Sequence, residues 1–286
     1  MIHIVDTYHQ INSLFENGVF MHEKWERYIN SVYPQVASFF IDDLNACLNS
    51  GNYVYERDVL PILCAVPDHP ALEALHTSFC KITEGLHENV INCFGRELDI
   101  DIVLYVGLCN GAGWVTHING REVILLGIEK ILELNWYDED SMRGLIYHEL
   151  GHAYHKKYGS FCQQIEDRSR RFIWQLFTEG IAMYFEQVLV RDLRYYHQDK
   201  NGWLTWCEEH FQQIASDFSQ DLPTMTATDQ RYFGDWVRYQ GKEDVGYYLG
   251  ARFIHHLRHK YDLEELIKMN IDGVHQEYLL FIGSIL

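Results

Sequence analysis

Apolar residues recur at helical spacing through MHEKWERYINSVYPQVASFFIDDLNACLNSG, residues 21–51, and predict helix that stops at Gly51. HPALEALHTSFCKITEGLHENVINCFG, residues 69–95, repeats that character and stops at Gly95. Residues 1–97 therefore read as a mainly helical N-terminal region. The period then changes. DIDIVLYVGLC (99–109) and REVILLGIE (121–129) are rich in β-branched and apolar residues, as strands are, and NGAGW (110–114) reads as a turn between them. Together they predict part of a small antiparallel sheet.

Helical periodicity returns after the acidic DED at 138–140, a natural helix start. The segment Ser141 to Lys157 opens on acids, closes on lysines and ends at Gly159, which suits the helix dipole. Further helices are expected from about Ser169 to Leu193, over 203–218, and from about Val245 to Lys260. TMTATDQRYFGDWVRYQGKED (224–244) reads as a loop-rich insert. The order is helices, then a little sheet, then helices. That is α+β and mainly helical, rather than alternating βαβ. It is organised as a helical region 1–97 and a second domain over 98–286.

One segment stands out. YHELGHAYH, residues 147–155, holds three histidines and a glutamate on the predicted helix at 141–157. His148 and His152 are one helical turn apart and project from the same side. Ile146, Leu150 and Ala153 supply an apolar back, as in a helix whose polar face lines a cleft. HExxH is the spacing at which two imidazoles bind zinc while the intervening carboxylate, Glu149, handles the proton of a water. His155 lies about 10.5 Å further along the axis, too far to share one ion with His148 and His152. It is expected to support the site or to lie on the surface.

The third ligand must come from elsewhere. RFIWQLFTEGIAMYFEQVL (171–189) is apolar nearly all round, yet carries Glu179 at its centre. A lone buried carboxylate is costly unless it is paired or bound to a metal. Gly180 beside it lets another backbone approach. Glu186, two turns on, is a supporting candidate, and Asp167 in IEDRSRR is a rival ligand. His148, His152 and Glu179 with an open position form the catalytic rather than the structural arrangement of Zn2+.

HELGH followed by TEGIAMYFE resembles the glutamate-type zinc metallopeptidases, or gluzincins, which include the thermolysin and aminopeptidase families. It is most similar in pattern to bacterial zinc-dependent proteases that carry a HExxH helix and a downstream E-G-[LIA]-A helix. The resemblance covers roughly residues 100–260. It implies a thermolysin-like catalytic core in which a small sheet precedes the HExxH helix and its edge strand binds substrate backbone. CNGAGW (109–114) would then border the cleft. It also implies a tyrosine three residues before a glycine on a later helix, which would polarise the substrate carbonyl. GYYLG offers Tyr247 for this, with Tyr248 as the neighbouring alternative. The chain lacks the aminopeptidase GxMEN strand motif and has TEG where those enzymes show NExxx, so N-terminal trimming is not implied.

Composition adjusts the picture in three respects. The net charge of −18 disfavours phosphate backbones and anionic membranes, so no nucleic acid or membrane partner is expected; the peptide or protein substrate is expected from the site's reaction class. The seven cysteines contain no CxxC pair, which argues against a disulfide framework and for a reducing compartment. No signal-like or membrane-length apolar run is visible, so a cytoplasmic location is expected. The reading is a zinc metallopeptidase with Glu149 as general base. The alternative is a non-catalytic zinc-binding regulatory or interaction protein, which would have no need of Glu149.

Overall fold

In a computed structural model the described residues are 1–49, 53–234 and 237–286. They are mainly helical, with a small mixed sheet. The stop expected at Gly51 lies outside the described residues. The chain divides into two compact units, Met1–Glu149 and Leu150–Leu286, and one helix runs across the division.

The first unit opens with β1 (Ile2–Asp6), a 3-10 helix (Tyr8–Leu14) and a short hairpin of β2 (Phe15–Glu16) and β3 (Val19–Phe20). The N-terminal helices follow as α1 (His22–Val32) and α2 (Ala37–Asn49), separated around Pro34. Proline has no N–H to donate and disfavours helix in the residue before it. A π-helical turn (Tyr55–Val59) leads into α3 (Leu60–Ala65), then α4 (Leu72–Thr83) and α5 (Leu86–Phe94). Gly95 ends α5 in the left-handed conformation, φ 69°, as the sequence led one to expect.

The sheet comprises β1, β4 (Ile100–Tyr105), β5 (Gly113–Ile118) and β6 (Arg121–Gly127), in the order β1-β4-β6-β5. It is mixed, which corrects the expected antiparallel arrangement. β1 pairs parallel with β4, β4 pairs parallel with β6, and only β5 and β6 form an antiparallel hairpin. Two features were not read from the sequence. The first residues form a strand rather than helix, and β5 lies between the two expected strands. Asn119–Gly120 joins β5 to β6 with φ values of 49° and 84°, the paired positive angles of a tight hairpin turn. Every residue of β4 is buried, and all but Asp101, which pairs with Tyr33 and Arg121, are apolar. The short α6 (Ile128–Glu133) follows β6 directly.

Helix α7 (Glu139–Tyr158) has Glu139 and Asp140 in its first turn and His155, Lys156 and Lys157 in its last, complementing the helix dipole. The second unit continues with α8 (Arg168–Val190), α9 (Trp203–Glu209), α10 (Phe211–Asp221), α11 (Val245–Leu257), α12 (Leu263–Ile267) and α13 (Ile271–Ile285). The single helix expected over 203–218 is thus two helices, meeting at His210. The described residues of 224–244 form no helix or named strand, yet Tyr232 and Tyr239 in this loop are fully buried.

Two helix crossings are set by missing side chains. A Cβ on Gly151 of α7 would lie 2.7 Å from the Ala182 Cα of α8. One on Gly180 of α8 would lie 2.4 Å from the Gly250 carbonyl oxygen of α11. Both distances are shorter than van der Waals contact permits, so glycine is required for backbones to come this close.

Candidate metal centre

The residues of the expected site sit on α7 and α8. His148 and Glu149 are buried, at 6% and 8% exposure, and His152 is half-buried. Gly151, inside the HELGH stretch, holds the α7 backbone against Ala182. Ala182 lies three residues after Glu179, so the same close crossing brings Glu179 to His152. The His152 Nε2 and Glu179 Oε2 atoms are 3.2 Å apart. Donor atoms of His148, His152 and Glu179 all fall within 4.8 Å of one another.

This donor set fits zinc. Ligands at about 2.0–2.1 Å from a tetrahedral ion are separated by about 3.4 Å, close to the His152–Glu179 spacing. A simple histidine–carboxylate pair would have the same spacing. It would not call for a second imidazole one helical turn away, directed at the same point.

The Glu149 side chain reaches the sheet. A Cβ on Gly113, the first residue of β5, would be 3.2 Å from Glu149 Cγ and 3.3 Å from its Oε1. The carboxyl group therefore rests against the start of an edge strand, where a larger residue than glycine would displace it. In the sequence Gly113 reads as part of a turn, NGAGW, that the resemblance sets at the border of a cleft; it is instead the first residue of a strand.

The competing residues have other roles. Asp167 is exposed and caps α8, its side chain accepting a hydrogen bond from the Arg170 backbone N–H. Glu186 is fully buried and pairs with the His197 Nδ1 at 2.9 Å. Burial raises the pKa of Glu186. Burial alone would lower that of His197, but the charge and hydrogen bond of Glu186 outweigh it and the pKa is raised. The structure corrects the surface reading of His155, which is fully buried among Phe161, Trp174 and Phe177. Burial, with His152 nearby, holds its pKa down to about 3, so it is a neutral core ring.

Tyr247 and Tyr248 separate clearly. Tyr248 is buried among Tyr196, Trp203 and Phe211, and its hydroxyl accepts from Arg252 at 3.3 Å. It is a packing residue. Tyr247 is half-buried, edge-on to Phe233, one turn before Gly250. Gly250 is where α11 meets α8 at Gly180, the neighbour of Glu179.

A buried acid that sequence reading passed over is Glu129, which accepts from the backbone N–H groups of Gly107 at 2.9 Å and Cys109 at 3.0 Å. Burial pushes its pKa up to about 7, although those N–H groups pull the other way. It anchors the loop that leads from β4 toward β5. No helix among the described residues is long and apolar enough to cross a membrane. No protein-family model, curated protein or solved structure matches the chain.

Proposed function

We propose that the protein is a zinc-dependent metallopeptidase of gluzincin type, with His148, His152 and Glu179 as ligands and Glu149 as general base. The observation that carries this reading is the convergence of the three donors within 4.8 Å on two helices, with the HExxH carboxylate buried beside them in sequence. Zinc held by these residues supplies Lewis-acid polarisation and brings the pKa of a water toward about 7.

The chain's own groups do the rest. Glu149 accepts a proton from the attacking water and delivers it to the leaving amine nitrogen. Its place against Gly113 sets it at the start of β5, the edge strand of the sheet. An extended peptide can add to such an edge through main-chain hydrogen bonds, which suits a peptide or unfolded protein segment as substrate. Tyr247 is the candidate donor to the developing oxyanion, a role in which one hydrogen bond is worth about 10²–10³ in turnover.

The test is metal content by mass spectrometry together with a peptide-library screen on the purified chain. About one zinc at this site, lost in Glu179→Ala, with cleavage in the wild type, is the expected outcome. Zinc bound without any cleavage of peptides would return the non-catalytic zinc-binding reading. Absence of metal after zinc is supplied would remove both.

A further inference from the structure

We propose that Asp6, His76 and Cys80 form a second metal site, which takes a zinc-class divalent ion and clips the end of β1 to α4. The three residues offer a carboxylate oxygen, an imidazole nitrogen and a sulfur, all within 4.8 Å of one another. The proposal is independent of the centre on α7 and α8, shares no residue with it, and lies wholly within the first unit.

The geometry argues for convergence on one point. His76 and Cys80 are one turn apart on α4 and so share a face. The Cys80 Sγ lies 3.5 Å from His76 Nε2, and Asp6 Oδ2 lies 2.6 Å from the same nitrogen. A thiol–imidazole–carboxylate relay needs the thiol and the acid on opposite ring nitrogens. Here both approach Nε2, which excludes the relay and leaves three donors around a common position. For a tetrahedral ion with Zn–S about 2.3 Å and Zn–N about 2.0–2.1 Å, sulfur and nitrogen would be about 3.6 Å apart. The observed thiol–imidazole spacing meets this. The carboxylate, now hydrogen-bonded, would move back by less than about 1 Å as the ion replaces the shared proton.

The surroundings hold the donors in place. The Tyr8 backbone N–H donates to Asp6 Oδ1 at 2.9 Å, which turns Oδ2 toward His76. The Tyr8 ring stacks on the His76 ring at 3.8 Å and 2°, fixing its plane. Supports of this kind around the ligands raise metal affinity by about 10–100-fold. Sulfur, nitrogen and oxygen together select zinc and its late-transition neighbours over magnesium or calcium. Half-buried His76 and exposed Asp6 and Cys80 leave the ion a way in.

The test is a cobalt titration of the chelator-stripped, full-length chain under reducing conditions. The centre on α7 and α8 has no sulfur ligand, so a thiolate-to-cobalt absorption band in the near ultraviolet can come only from a cysteine site. The expected result is one equivalent of cobalt giving this band, displaced by zinc. The band should persist in the His148→Ala/His152→Ala variant and vanish in Cys80→Ser. Zinc should also raise the melting temperature of the double-histidine variant, and Cys80→Ser added to it should remove that rise. No thiolate band in the wild type, or a band that survives Cys80→Ser, overturns the proposal. Asp6→Asn gives a second check, because it leaves the sulfur in place; unchanged cobalt affinity in that variant would also overturn it. Loss of the band in the His148→Ala/His152→Ala variant, where Cys80 is intact, would tie the sulfur to the first centre and refute an independent second site.

Discussion

At the scale of single residues, the roles proposed for the carboxylates can be told apart by substitution. Glu149→Gln should keep zinc and lose turnover by about 10²–10⁴-fold, the usual worth of a general base; retained turnover in a zinc-loaded sample would sink the assignment. Glu179→Ala should lose the metal. Asp167→Ala should keep it and cost about 0.5–2 kcal/mol of stability, because Asp167 caps α8 rather than facing an ion. Parallel metal analysis and denaturant melts would separate the two acids. Glu129 gives a pH signature. Its folded pKa of about 7 lies above the unfolded value of about 4.3, so the folded chain holds a proton that the unfolded chain has released. Its contribution is full below the unfolded value and is lost as pH rises toward 7. Urea melts at pH 5 and pH 7 should show a stability loss over that interval that is smaller in Glu129→Gln. An identical pH response in both proteins would place the proton elsewhere.

At the scale of elements, α8 carries most of the design. Gly151 and Gly180 let α7 and α11 approach it so closely that any larger residue must push them apart. Gly180→Val should cost about 1–3 kcal/mol through overpacking, and should lower zinc affinity because Glu179 is its neighbour. Equal stability and zinc content in that variant would mean that the crossing is not needed to place the ligand. The buried Glu186–His197 pair secures the segment after α8 to its last turns. His197→Ala removes the imidazole that pairs with a buried carboxylate, at a cost of about 3–5 kcal/mol, measurable as a shift in denaturation midpoint.

At the scale of the whole chain, the net charge of −18 acts at long range. If peptides are the substrates, basic ones should be steered in at low ionic strength, and their kcat/KM should fall as salt rises. Acidic peptides should show the reverse. A common salt dependence for both would mean that the charge serves solubility alone.

The sequence by itself determined whatever is local. HExxH was legible because helical spacing of 3.6 residues converts a four-residue step into a shared face. Glu179 stood out because a charge inside an apolar helix demands a partner; the structure has it half-buried, 3.2 Å from His152. Gly95 and the acidic start of α7 were legible because caps and dipoles act within one turn. Tertiary structure decided what depends on residues distant in the chain. The strand Ile2–Asp6 carries too little pattern to declare itself and gains its identity by pairing with β4, nearly a hundred residues on. The parallel pairing of β4 and β6 follows from β5 taking the far edge and returning as a hairpin into β6, not from either segment alone. His155 looked like one more polar residue on a histidine-rich helix, and only packing against α8 and Phe161 made it core. Asp6 meets His76 across 70 positions. Hydrogen bonds and close packing between distant segments have no periodic signature in sequence, so the fold alone could bring those donors together.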